Sequence, residues 1–238
     1  MKKFISCSLL CICLSSYSQK IDVDKIGVKS AALINVFSES GTPFVDAKFV
    51  RMVSGSPLFN DKMMRGMLIS ATGIEYRDIA MRLNLMESQV NFLNDKQVEM
   101  LVGTPIREVT LWDTVNQKNY LFIYSDYIET KDKTEKGFYQ LLQKGKACLY
   151  SYYNKTIKET RAFNAATFEQ SIQTDVTHLV LLDGQWGKIN KIKNLPSLLS
   201  DKKNEVQKYI DNNNLSGYKQ EDVELVIRYY NSLFEGKQ

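Results

Sequence analysis

The sequence predicts an α+β protein: a mainly antiparallel β domain, built as a meander, roll or sandwich, followed by a C-terminal helical pair. Three observations point there. Between residues 29 and 190, short apolar runs of period two alternate with turns rich in Gly, Asn and Asp. The long βα crossovers that a parallel sheet requires are missing from this region. After Leu195-Pro196 the apolar period becomes that of an amphipathic helix.

The strands come in chain order. "SAALINVF" (30–37) and "FVDAKFVRMV" (44–53) flank the Gly-Pro turn "SESGTP". "GMLIS" (66–70) and "IEYRDIAMRLNL" (74–85) flank Ala71-Thr72-Gly73, a connection whose closing Gly suits a left-handed last position. In the second arm Ile79, Met81 and Leu83 alternate with Ala80, Arg82 and Asn84, so one face is predicted wet. "QVNF" and "QVEMLV" sit either side of Asn94-Asp95-Lys96. "IREVTLWD" (106–113) and "NYLFIYSDYI" (119–128) form the next pair, and "GFYQLLQKGKACLYSYYN" (137–154) turns at Gln143-Lys144-Gly145. "THLVLLDGQWGKIN" (177–190) is a hairpin about Asp183-Gly184, among the strongest short hairpin signals. Residues 129–136, "ETKDKTEK", read as a charged loop, and 155–175 as a polar stretch with no pattern.

In the C-terminal segment Leu198/Leu199, Val206 and Tyr209/Ile210 mark the first helix, with Asp201 as its expected N-cap. Val223, Val226/Ile227, Tyr230 and Leu233/Phe234 share one face of the second, whose first turn carries Glu221 and Asp222.

Residues 1–18 read as a signal peptide: Lys2 and Lys3, then the apolar run Phe4–Leu14, then small residues before a cleavage point at Ser18-Gln19. That run is too short to span a bilayer, which takes about 20 residues. Leu10 before Cys11 and Ile12 before Cys13 argue against a lipidated cysteine. The expected location is therefore the periplasm or the outer surface, with at most peripheral membrane association. Domain limits are 1–18 for the signal, 19–190 for the β domain and 191–238 for the helical segment packed on it. Of the four cysteines only Cys148 survives cleavage, so no intramolecular disulfide can form and stability must come from a core. Net charge falls from +4 to +2 with loss of Lys2 and Lys3, which gives no electrostatic case for nucleic acid.

The stretch most like a motif is "GSPLFND" (55–61), followed by "KMMRGMLIS". It lacks the Gly-rich backbone and Lys-Ser/Thr end of a phosphate loop, and Gly55-Ser56-Pro57-Leu58-Phe59 lacks the second Gly of a nucleophile elbow. Pro57 and Asn60-Asp61 explain it as a structural corner. His178, the single histidine, sits on one strand face with Val176, Val180 and Leu182, which suits a packed residue better than a Cys148 dyad or a Ser-His-acid triad. Zinc finds too few Cys and His. Aligned on a calcium loop, Asn212, Asn214, Ser216 and Gly217 fit, but Val223 stands where a bidentate Glu is required. No cofactor, metal or catalytic residue is expected.

Tyr and Phe crowd the strands 119–128 and 137–154, either as core or as the wall of a groove for an apolar or glycan-like ligand or a partner. Candidates for a partner- or ligand-facing role are Phe59, Met63, Met64, Tyr124, Tyr152 and Tyr229. The "GSPLFND" turn, "RGMLISATGIEYRDIAMRLNLMESQVNF", "KGFYQLLQKGKACLYSYY" and the segment from "LPSLLSDKK" to "VIRYYNSL" together resemble a family of small exported proteins of Gram-negative bacteria. The resemblance covers about residues 55–235, with more methionine in "KMMRGMLIS" than the family pattern. It implies export and a β domain with a helical tail; the family has no assigned activity, so no site residue carries over. The expected function is a non-enzymatic binding or interaction module of the cell envelope, with an envelope protein as partner. The alternative is a periplasmic carrier of a lipid-like ligand in a curved sheet.

Overall fold

The computed structural model describes residues 50–161 and 168–235. The predicted signal peptide, its cleavage point, the strand 30–37 and most of the strand 44–53 lie outside the described residues. The fold is α+β, a β-sheet succeeded by a helix pair. The strands are β1 (Val50–Ser54), β2 (Met64–Ser70), β3 (Glu75–Asn84), β4 (Gln89–Leu93), β5 (Glu99–Leu101) and β6 (Ile106–Asp113). Then come β7 (Lys118–Tyr124), β8 (Phe138–Gln143), β9 (Ala147–Thr160), β10 (Phe168–Leu182) and β11 (Gln185–Ile189). The helices are α1 (Leu195–Leu198), α2 (Lys203–Asn212) and α3 (Gln220–Ser232). None of the described helices is long and apolar enough to cross a membrane.

All the described strands join one sheet in the order β1-β10-β9-β8-β7-β6-β2-β3-β4-β5, with β11 also on β10. Among them every pairing is antiparallel except β1 with β10. That parallel pair needs no βα crossover, because the whole intervening meander connects the two strands. The turns obey their residue chemistry. Gly73 closes the β2–β3 turn at φ +85°, and Asp183 and Gly184 both take positive φ in the two-residue β10–β11 turn. The polar stretch 155–175 is largely strand: β9 and β10 pair from Glu169↔Thr160 through Val176↔Tyr153. Its residues are mostly exposed, so no apolar alternation marks it.

One face of the sheet carries two cores. Leu68, Met81, Val109, Leu111 and Phe122 are nearly inaccessible at the β2–β7 end, together with Val90, Phe92 and Phe138. This end curls on itself. A Cβ on Gly137, ahead of β8, would lie 3.2 Å from the Ser88 hydroxyl ahead of β4, although four strands separate β8 from β4 in the sheet. The result is a roll rather than two stacked sheets. Farther along the same face, Ala147, Leu149, Val180 and Ile189 pack beneath Leu199, Val206, Ile210, Val223, Val226, Ile227 and Tyr230. Burying each such aliphatic side chain contributes about 1.5–3 kcal/mol. The charged loop 129–136 crosses the opposite face, with Thr130 and Lys131 donating to the Gly184 carbonyl and Asp132 accepting the Trp186 N–H.

Asp201 does not cap α2. The N-cap is Lys202, and the Asp201 carboxylate instead accepts the Tyr230 hydroxyl at 2.9 Å and the Lys146 ammonium at 2.9 Å. Pairing helix to strand is the stronger use of this charge, because Tyr230 is fully buried and its hydroxyl needs a partner.

Candidate functional site

The "GSPLFND" segment straps the roll closed. Gly55 is fixed by contact: a Cβ there would lie 2.1 Å from the Ile172 carbonyl oxygen, and its φ is +82°. Beyond Pro57 the chain runs beside β3, Phe59 N–H donating to Leu83 at 2.8 Å and Leu85 N–H to Pro57 at 3.0 Å. Asn60 accepts the Lys62 N–H through its side chain, and Ser56 donates to Asp61. Lys155, on β9, donates to the Ser56 carbonyl at 2.8 Å, and desolvation holds its pKa below the usual lysine value despite the attraction of Asp61. Phe59 then plugs the interior, its ring 4.9 Å from Tyr120, 4.8 Å from Phe122 and 5.9 Å from Tyr153, all edge-on.

Phe59 and Met64 therefore face the core, and Met63 is partly buried. Tyr152 stacks on Tyr139 at 4.7 Å on the opposite face, in a cluster with Tyr150 and Trp186. Burial pushes Tyr150 up to about 12. Tyr229 stacks on Tyr209 at 4.1 Å and clamps α3 to α2. Of the six candidates, Tyr124 borders a cleft.

The Cys148 thiol and the His178 imidazole are kept apart. Cys148 lies opposite Leu181 and His178 opposite Ser151, so thiol and imidazole project from opposite faces of the sheet. His178 Nδ1 is 2.7 Å from Ser151 Oγ, and both are buried, with the Tyr218 ring of the α2–α3 connector 5.4 Å from the imidazole. Desolvation lowers the His178 pKa, against the attraction of Glu224 and Glu221. The Asn-rich connector is a helix stop. Asn214 has φ +51°, with Leu215 N–H bonding Ile210 and Asn214 N–H bonding Asp211. Among the described residues no three His, Cys, Asp or Glu side chains form a metal-holding group.

What stays open is the mouth of the roll. A cleft of about 340 Å³ is lined by the apolar Val90, Ile106 and Phe138, by Tyr124, Tyr127 and Pro105, and by the polar Ser88, Gln89, Thr104 and Asp126. A shallower hollow of about 470 Å³ adjoins it, bordered by Arg107, Glu108, Ile128, Glu129 and Thr130. Asp126 and Tyr127 line both, so the two hollows adjoin at these residues, and Tyr127 is 37% exposed. Asp126 accepts from Lys136, whose pKa this bond raises, and Glu108 accepts from Arg107 at 3.0 Å. The sequence pattern does not reveal this site, because "SDY" continues the predicted strand 119–128. In the structure β7 stops at Tyr124 and Ser125–Tyr127 form a 3₁₀ turn that swings Asp126 and Tyr127 to the rim. The groove combines apolar and aromatic surface with hydrogen-bonding groups and the carboxylates of Asp126, Glu108 and Glu129.

No family model, no curated protein and no solved structure matches the chain.

Proposed function

We propose that the protein is a non-enzymatic binding module, exported to the periplasm or the outer surface, that holds its ligand in the groove on either side of Tyr127. One observation carries this reading: the interior of the roll is filled around Phe59, while aromatic and polar groups converge at its open mouth. A carrier of apolar ligands needs an apolar interior space, and the plug occupies that position. Against an enzyme, Ser151 and His178 are buried, and in the groove Asp126 and Glu108 are held in ion pairs with Lys136 and Arg107.

The test is site-specific photo-crosslinking in the producing cell, with a benzophenone amino acid replacing Tyr127 or, as a control, Val115, which is 87% exposed in the β6–β7 turn. The reading expects a defined adduct from position 127 and none from 115. Equal labelling at both positions, or an apolar ligand co-purifying in stoichiometric amount, overturns it.

A further inference from the structure

We infer that the ligand of this groove is a neutral oligosaccharide, bound with one sugar face on the Tyr127 ring and its hydroxyls on the polar edges. The inference rests on the reading of the groove as a binding site, and it derives from what the lining can and cannot satisfy.

An anionic ligand would meet the three carboxylates of Asp126, Glu108 and Glu129 against the two cations Arg107 and Lys136, an excess of one negative charge. A cationic peptide would find two of those three carboxylates already bound to the protein's own Lys136 and Arg107. A wholly apolar ligand would strip water from Ser88, Gln89, Thr104 and Asp126 without replacing their hydrogen bonds.

A neutral saccharide meets each of these conditions. Its C–H face covers exposed aromatic surface, and its hydroxyls both donate and accept. Asp126 keeps acceptor capacity for such donors even while it holds Lys136, because an ionised carboxylate has about four lone-pair sites. The two hollows meet at Tyr127, so the site is extended and suits consecutive rings more than one. An open, wet groove of this kind holds ligand weakly, with a dissociation constant of roughly 10 µM to 1 mM.

The experiment is an NMR titration of the mature full-length chain with three neutral tetrasaccharides, of β-linked glucose, α-linked glucose and β-linked N-acetylglucosamine, and with a Lys-rich decapeptide. The expected result is saturable shifts for at least one tetrasaccharide, at residues 88–90, 104–108 and 124–130. Tyr127→Ala should weaken that binding at least tenfold, while Tyr127→Phe, which keeps the ring, should stay within about threefold. The partly exposed position makes both variants compatible with the fold.

Peptide binding at the groove without saccharide binding overturns the inference and leaves the groove reading intact. Saccharide binding that Tyr127→Ala does not change overturns it as well. If no tetrasaccharide shifts the groove while position 127 still crosslinks a partner in the cell, the saccharide class is wrong and the site is right. If neither occurs, both readings fall.

Discussion

The ring of Phe59 stands edge-on 4.8 Å from the ring of Phe122, a residue with no solvent exposure. One comes from an irregular strap and the other from the middle of β7, so this contact joins the corner of the chain to the interior of the roll. Truncating Phe59 to Ala leaves a hole lined by Tyr120, Phe122 and Tyr153. The expected cost is about 3 kcal/mol of unfolding free energy, with Phe59→Leu losing less than half of that. Urea midpoints at matched slope check it.

Asn231 does for the helical pair what Phe59 does for the roll. Its side chain accepts the Ala147 N–H and donates to the Ala147 carbonyl, both at 2.9 Å and both buried. Asn231→Ala strands two main-chain groups, so a loss of about 2–4 kcal/mol is expected. Gly145→Ala should act on the same clasp from the other side, since its Cβ would lie 2.3 Å from Asn231 Nδ2. The pair should be non-additive in a double-mutant cycle.

His178 makes stability depend on pH in a defined direction. Burial holds its pKa below the ordinary histidine value of 6.5, against the pull of Glu224 and Glu221, with Ser151 on its Nδ1 and the Tyr218 ring 5.4 Å away. The unfolded chain therefore binds the proton more readily than the folded one, and stability rises with pH. This contribution is complete above about pH 6.5 and is lost as pH falls from there through the folded-state value. Denaturant midpoints at pH 7.5 and 5.5 should differ accordingly, and His178→Asn should flatten the difference. Asp201 and Glu205, whose pKa values are lowered, act only in the carboxylate range.

The loop 129–136 protects Trp186 through Asp132 on its main chain and Thr134 on its indole N–H. Asp132→Ala should cost about 1 kcal/mol and raise acrylamide quenching of the tryptophan fluorescence. Unchanged quenching would mean that the loop is not what shields the ring.

Most strands of the meander were legible because they bury one face: in β3 Ile79, Met81 and Leu83 alternate with wetter neighbours, as their spacing requires. The long ends of β9 and β10 were not, since both faces meet water and no hydrophobic period results. Asp201 looked like a cap by position, yet a buried hydroxyl on a helix distant in sequence claimed it. Phe59 was visible as an unusual residue in an unusual loop, but its inward direction depends on where β7 and β9 pass. The groove was least legible of all. Its parts come from the turn before β4, the approach to β6 and the 3₁₀ turn after β7, which only the curl of the sheet brings together.

Hydrogen exchange of the protein, with and without extract of the producing cell, tests the central claim most directly because it presumes no ligand class. The account predicts added protection in peptides covering 88–90, 104–108 and 124–130, lost in Tyr127→Ala. Protection confined to β2–β4 or to the helix pair, with the groove unchanged, would contradict it.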